Sequence, residues 1–252
     1  MVTNDRYGAP RRKKKKNTLY APLAFILVCV AVAFGIGVFF RVQTIKVVGA
    51  TSYTDEQIIN TSGIELGDNL FFINRFKASS NIFSKLPFVE SATIERSFPN
   101  SITITIVENY AVAYVDWKGQ DWMITTTCKL LGTGTGKDLT GLIQITNLTP
   151  ESPSSGAVLA VAQEDSLKLA YLQVLLPAMQ AQGLIGNVSV LDLGNVADPT
   201  FRYLDRFTVQ MGPNADTEYK LRMLLGAVKQ MTNDATGNID LSGGTTVYVS
   251  PD

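Results

Sequence analysis

Leu86-Pro87-Phe88-Val89-Glu90-Ser91-Ala92-Thr93-Ile94-Glu95-Arg96-Ser97-Phe98-Pro99-Asn100-Ser101-Ile102-Thr103-Ile104-Thr105-Ile106-Val107-Glu108 reads as two strands joined by a tight turn. Val89–Ser97 alternates as a half-buried strand does, and Pro99-Asn100 supplies turn chemistry. In Ser101–Val107 the isoleucines 102, 104 and 106 share one face, while Ser101, Thr103 and Thr105 share the other, because successive side chains of a strand point to opposite sides.

Upstream, Pro87 stops a helical pattern that carries Phe76, Ile82, Phe83 and Leu86. Before that, Thr54-Asp55-Glu56-Gln57 has the spacing of a capping box. A hydroxyl at the N-cap and an amide three residues later satisfy free helix N–H groups reciprocally. Ile58 and Ile59 supply the apolar face, Gly63 closes that helix, and Gly67 marks the turn after it. The β-branched stretch Thr44–Val48 ends at Gly49. The order is β-α-α-β-β, with one sheet face covered by two helices.

From Leu19 to Phe40 no residue is charged, and Lys16 and Arg41 bracket the stretch. At 1.5 Å per residue the run makes a helix of roughly 33 Å, enough to cross a hydrocarbon layer of about 30 Å. Pro22 falls in its first turn, where a missing N–H does no harm. Formal net charge is zero, but residues 1–18 carry seven Lys/Arg against one Asp, while the rest carries 15 Lys/Arg against 21 Asp/Glu. The basic run Arg11, Arg12, Lys13, Lys14, Lys15 and Lys16 therefore anchors the N-terminus on the cytoplasmic side and places everything after Arg41 outside, as a single-pass plasma-membrane protein. A nucleic-acid patch explains the same charges with a further assumption. A cleaved signal peptide, with Ala31-Val32-Ala33 as the small-residue site, conflicts with the apolar Phe34–Phe40 that follows. Ala31/Gly35 and Ala33/Gly37 are small residues four apart, a spacing that lets another helix approach.

Ile45-Lys46-Val47-Val48-Gly49, Gly67-Asp68-Asn69-Leu70-Phe71, Leu86 to Ala92, and Arg96 to Ile102 with Glu108 together resemble a POTRA domain. More narrowly, they are similar to the one in the FtsQ/DivIB family of bacterial cell-division proteins, and the order of basic tail, span, POTRA domain and β-rich domain matches that family along nearly the whole chain. Departures occur at Glu108-Asn109-Tyr110-Ala111-Val112-Ala113, where the family often has Glu-Arg-x-Pro-x-Ala, and at Thr125-Thr126-Thr127-Cys128-Lys129 in place of an Asp-x-x-Gly turn. The expected organisation is a cytoplasmic tail over 1–18, a transmembrane helix over 19–40, a POTRA domain over 41–110 and an extracytoplasmic β domain over 111–252, of α+β class.

In the last part, Val112–Trp117, Trp122–Thr126, Leu142–Thr146, Val188–Leu193 and Phe207–Met211 read as strands. Asp165–Gln182 is helical by pattern, with Leu167, Ala170, Tyr171, Val174, Leu175 and Met179 on one face and Pro177 near its end. Asp216–Met231 repeats the pattern, and Thr149–Gly156 reads as a surface loop. Ile239–Leu241, a Gly243-Gly244 turn and Thr245–Ser250 close the chain as a hairpin. Met211-Gly212, Lys220-Leu221 and Ile239-Asp240-Leu241 resemble recurrent positions of the family's β domain.

Thr245, Thr246, Val247, Tyr248, Val249 and Ser250 are β-prone and uncharged. Two readings stand: a strand paired on both sides, or a sheet edge that accepts another chain's strand. The resemblance implies the second, since FtsQ-like proteins bind the small membrane proteins FtsB/DivIC and FtsL through this part of the β domain. Other division membrane proteins would meet the span and the POTRA domain, at the division septum.

Reactive chemistry is sparse. There is no histidine, which removes the commonest general base and zinc ligand. Gly132-Thr133-Gly134-Thr135-Gly136-Lys137 is similar to a phosphate loop, but Leu131 and Asp138 stand where that loop needs Gly and Ser/Thr, so a hairpin is expected. Cys29 and Cys128 lie far apart, and Cys128 beside Lys129 is read as a buried inert thiol rather than an activated one. The expectation is a protein without catalytic residues, metal, cofactor or nucleic acid. It would be a division scaffold that helps regulate septal peptidoglycan synthesis, with a POTRA protein of polypeptide transport or envelope assembly as the alternative.

Overall fold

The computed structural model describes residues 20–243 and 248–250. Helix α1 (Tyr20–Phe39) contains no charged residue, and none of its most apolar stretch, Pro22–Phe39, is buried against the rest of the protein. It is long and apolar enough to cross a membrane.

The first folded unit follows at once. Strand β1 (Thr44–Val48), helices α2 (Asp55–Ser62) and α3 (Arg75–Lys85), and strands β2 (Val89–Ser97) and β3 (Ser101–Glu108) appear in the expected order. The sheet runs β1-β3-β2, with β1 parallel to β3 (Thr44 opposite Ser101) and β2 antiparallel to it. The capping box forms: Thr54 Oγ1 accepts from the Gln57 N–H at 3.2 Å, and the Thr54 N–H donates to Gln57 Oε1 at 2.9 Å. Ile102, Ile104 and Ile106 are buried, together with Ile58, Leu70 and Ile82 from the helical layer.

The helical pattern of α3 needs correction. Phe76 and Phe83 are exposed, while the expected Ile82 faces the core together with Ala78. A small alanine lets the helix lie close to the sheet, where α3 also fixes β2 by donating from Ser79 Oγ to Ala92 O at 2.5 Å. Gly49 is a position where only glycine serves. Its φ is +87°, and a Cβ there would lie 2.3 Å from the Ile106 carbonyl oxygen.

The second unit is a single nine-stranded sheet. Its strands are β4 (Ala113–Trp117), β5 (Gln120–Ile124), β6 (Leu130–Gly134), β7 (Ile143–Thr146), β8 (Val188–Asp192), β9 (Thr200–Tyr203), β10 (Phe207–Gln210), β11 (Gly237–Asp240) and β12 (Tyr248–Ser250), in the order β12-β11-β10-β9-β8-β7-β4-β5-β6. Helices α4 (Ser166–Ala181) and α5 (Thr217–Val228) contribute Tyr171, Leu172, Leu175, Leu176, Leu221 and Leu224 to its core. Leu167 and Val174, expected on the inner face of α4, are exposed; the expected Tyr171, Leu175 and Met179 are buried, joined by Leu172, Leu176 and Ala178. The glycine-rich stretch expected as a hairpin divides into β6 and a 3-10 turn over Gly136–Leu139.

Lys129 joins the two units. Its Nζ donates to the Val89 carbonyl at 3.2 Å and sits 4.7 Å from the centre of the Phe83 ring. This contact accounts for an aromatic residue on the outer side of α3.

Candidate partner-docking edge

Strands β10 and β11 are parallel, with Val209 opposite Ile239, and α5 provides the crossover between them. After Asp240 the chain turns back, and β12 pairs antiparallel with β11: Tyr248 opposite Asp240, Val249 opposite Ile239, Ser250 opposite Asn238. β12 is the last strand of the sheet. Among the described residues nothing pairs with its outer side, and Tyr248 and Val249 are 62% and 39% exposed. An outer strand leaves backbone N–H and C=O groups able to continue the ladder.

The opposite edge is covered at its start. Along β6, the Leu130 N–H donates to Ala157 O, and Gly156 N–H returns a bond to Leu130 O, both at 2.8 Å. Leu159 N–H donates to Cys128 O at 2.8 Å, so the loop expected over 149–156 and the residues after it cover that side. In the three-stranded sheet the outer side of β1 is open, but Lys46 stands in its middle, and a charge there disfavours edge-to-edge pairing. β12 carries no charge, and among the described residues no backbone group pairs along its outer side.

Its support is a buried polar cluster at the turn after β10. Lys220, 2% exposed, donates from Nζ to Met211 O at 2.8 Å and Pro213 O at 2.9 Å. Tyr171 Oη donates to Gly212 O at 3.2 Å, and the Gly212 N–H donates to Asp198 Oδ1 at 2.8 Å. Leu241 N–H donates to Gln210 O at 2.9 Å, which fixes the end of β11 beside that turn. Gly212 has φ +66°, and a Cβ there would lie 2.6 Å from the Cα of Ser242, so the chain leading to β12 passes directly over it. Burial lowers the pKa of the Lys220 amine, opposed by the carboxylates of Asp216, Asp198 and Asp240. Burial raises that of the Tyr171 phenol, as does Asp198. Met211-Gly212, Lys220-Leu221 and Ile239-Asp240-Leu241, noted in the sequence as three separate positions, thus meet at one place. The sequence places Tyr171 only on the apolar face of its helix and does not mark Asp198, because nothing local brings either to Gly212.

Glu108 has a structural part in the first unit. Both its oxygens accept from Thr51 and Ser52: backbone N–H groups at 2.8 Å each and hydroxyls at 2.5 and 3.1 Å. Burial pushes this carboxyl up, but the four hydrogen bonds outweigh it and hold its pKa below the ordinary value. Cys128 is buried, and burial pushes its thiol up to about 12. Asp138 accepts from the Thr135 N–H at 3.1 Å, so a carboxylate caps the turn where a phosphate would need donors. Among the described residues no group of His, Cys, Asp and Glu side chains is placed to hold a metal ion. Arg11 to Lys16 and Thr245, Thr246 and Val247 lie outside the described residues.

An apolar helix long enough to cross a membrane, a β-α-α-β-β unit directly after it and a larger sheet are the architecture of a POTRA-containing protein. Residues 40–109 match the family described as POTRA domain, FtsQ-type. The chain is similar to cell division proteins named DivIB and FtsQ. It is 24% identical over 254 residues to cell division protein DivIB of Clostridium botulinum (strain Loch Maree / Type A3), covering 99% of this chain and 98% of that one. It is 34% identical over 113 residues to DivIB of Brevibacillus brevis, covering 44% of this chain and 41% of the relative. With FtsQ of Corynebacterium glutamicum it shares 35% over 95 residues, 38% of this chain and 42% of the relative. These last two matches span about two fifths of the relatives' length.

Proposed function

We propose that this chain is a non-catalytic scaffold of the bacterial division machinery, held in the plasma membrane by α1 with its N-terminus in the cytoplasm and its two folded units outside, at the septum. It docks FtsB/DivIC-like and FtsL-like membrane proteins and through them helps regulate septal peptidoglycan synthesis. The names of its homologues support a role in division, and the lysine- and arginine-rich start supports the orientation. The observation that carries the docking mechanism is β12, an uncharged edge strand of the nine-stranded sheet. A strand added there gains main-chain hydrogen bonds, and exposed Tyr248 and Val249 offer side-chain contacts.

The test is a pull-down of the full chain with FtsB/DivIC-like and FtsL-like proteins. Tyr248→Pro removes a ladder donor and Tyr248→Lys puts a charge on the edge. Each is expected to weaken binding about tenfold, which is the effect of one to two main-chain hydrogen bonds at about 1 kcal/mol each. Unchanged binding by both variants rules out strand addition at β12.

A further inference from the structure

The first unit is joined to α1 by more than a peptide link. Asn69 Nδ2 donates to the Ile36 carbonyl at 2.9 Å, inside the last turn of the helix. Leu70 N–H donates to Phe40 O and Val42 N–H to Asp68 O, both at 2.8 Å. The loop around Asn69 therefore sits at the depth of the helix end. The uncharged run stops at Arg41, so this depth is the border between hydrocarbon and headgroups.

Three aromatic rings gather there. Phe71 and Phe98 lie 5.0 and 5.8 Å from the ring of Phe40, and 5.6 Å from each other. They come from separate segments: the loop before α3 and the β2–β3 turn. Both remain open on the side away from Phe40, with Phe71 44% and Phe98 58% exposed, and neighbouring Phe72 is 82% exposed. Arg96 on β2 holds the loop in place, donating from Nη2 to Ile73 O at 2.8 Å. The strand directions agree. β1 and β3 are parallel, and both start at this end, where the Gln43 N–H donates to Asn100 O at 2.8 Å. Clustered apolar surface on a folded unit marks an interaction site. Aromatic rings at the level of the headgroups are stabilised there by apolar contact on one side and hydration on the other.

We propose that Phe71, Phe72 and Phe98 form a bilayer-docking surface that seats the first unit on the outer headgroup layer and fixes its tilt. The occupant is phospholipid. The exposed groups are aromatic, and the side chains of Arg41 and Arg96 are directed to backbone carbonyls of Gly37 and Ile73, so the contact is aromatic rather than ionic and zwitterionic lipid suffices. The inference rests on α1 being a membrane anchor.

The experiment uses the full chain reconstituted in phosphatidylcholine vesicles. Phe72→Trp adds a reporter at an exposed position; Tyr110→Trp, at the far end of β3 and roughly 30 Å along the strand from Asn100, is its control. Trp117 and Trp122 give the same background in both. The added Phe72→Trp emission is expected to be blue-shifted and cut by roughly half by lipids carrying a nitroxide near the headgroup, while that of Tyr110→Trp is unchanged. Water-like, unquenched emission overturns the proposal. So does emission that is blue-shifted but unquenched, since protein then covers the face. A chain that fails to float with the vesicles refutes the anchor itself, an outcome distinct from both.

Discussion

Glu108 shows how one buried carboxylate organises a connection far from it in sequence. Its hydrogen bonds from Thr51 and Ser52 fix the chain between β1 and α2 at the end of β3. Those bonds favour the ionised form, so the folded pKa lies below the unfolded one. A depressed carboxylate stabilises the fold at pH above its unfolded pKa, and this stability is lost as pH falls through the folded pKa. Thermal melts should therefore show stability declining from about pH 5 downward. Glu108→Gln should lower stability by about 1–3 kcal/mol at neutral pH and flatten that acid limb. A variant that keeps the wild-type acid slope would place the titrating group elsewhere.

The elements that were legible in the sequence are those whose signals are local. Thr54 and Gln57 fix the start of α2, and the threonine–isoleucine alternation fixes β3. Strands β6 and β9 left no such signal. β6 contains Gly132 and Gly134, which weaken any strand pattern, and four-residue β9 is too short to show an alternation. The outward turn of Phe76 and Phe83 was also hidden, because an aromatic residue on a helix reads as core, and the Lys129 contact of Phe83 comes from the second unit. The same holds for the docking edge. Its strand was visible, but its place at the end of the sheet depends on the pairing of β11 with both β10 and β12. Lys220 stands out in the sequence only through the family resemblance, and nothing local shows that it closes the turn that supports this edge. Lys220→Met should lower stability by about 2–3 kcal/mol by leaving the Met211 and Pro213 carbonyls without a donor. It should also speed amide exchange in β11 more than in β4, as native-state hydrogen exchange can measure.

For the whole molecule, the topology separates two tasks. Helix α1 and the loop hydrogen-bonded to its end set where the first unit stands, and the nine-stranded sheet ends on one side in β6, covered at its start, and on the other in β12. The proposed docking mechanism depends on β12 standing at the end of the sheet, since a strand paired on both sides has no backbone to offer. The most direct measurement is amide hydrogen exchange of the reconstituted chain with and without its FtsB/DivIC-like partner. Strand addition predicts that exchange at Tyr248, Val249 and Ser250 slows on binding, while β6 is unaffected. Binding that leaves these three amides exchanging as before, with protection confined to other surfaces, would contradict docking at β12.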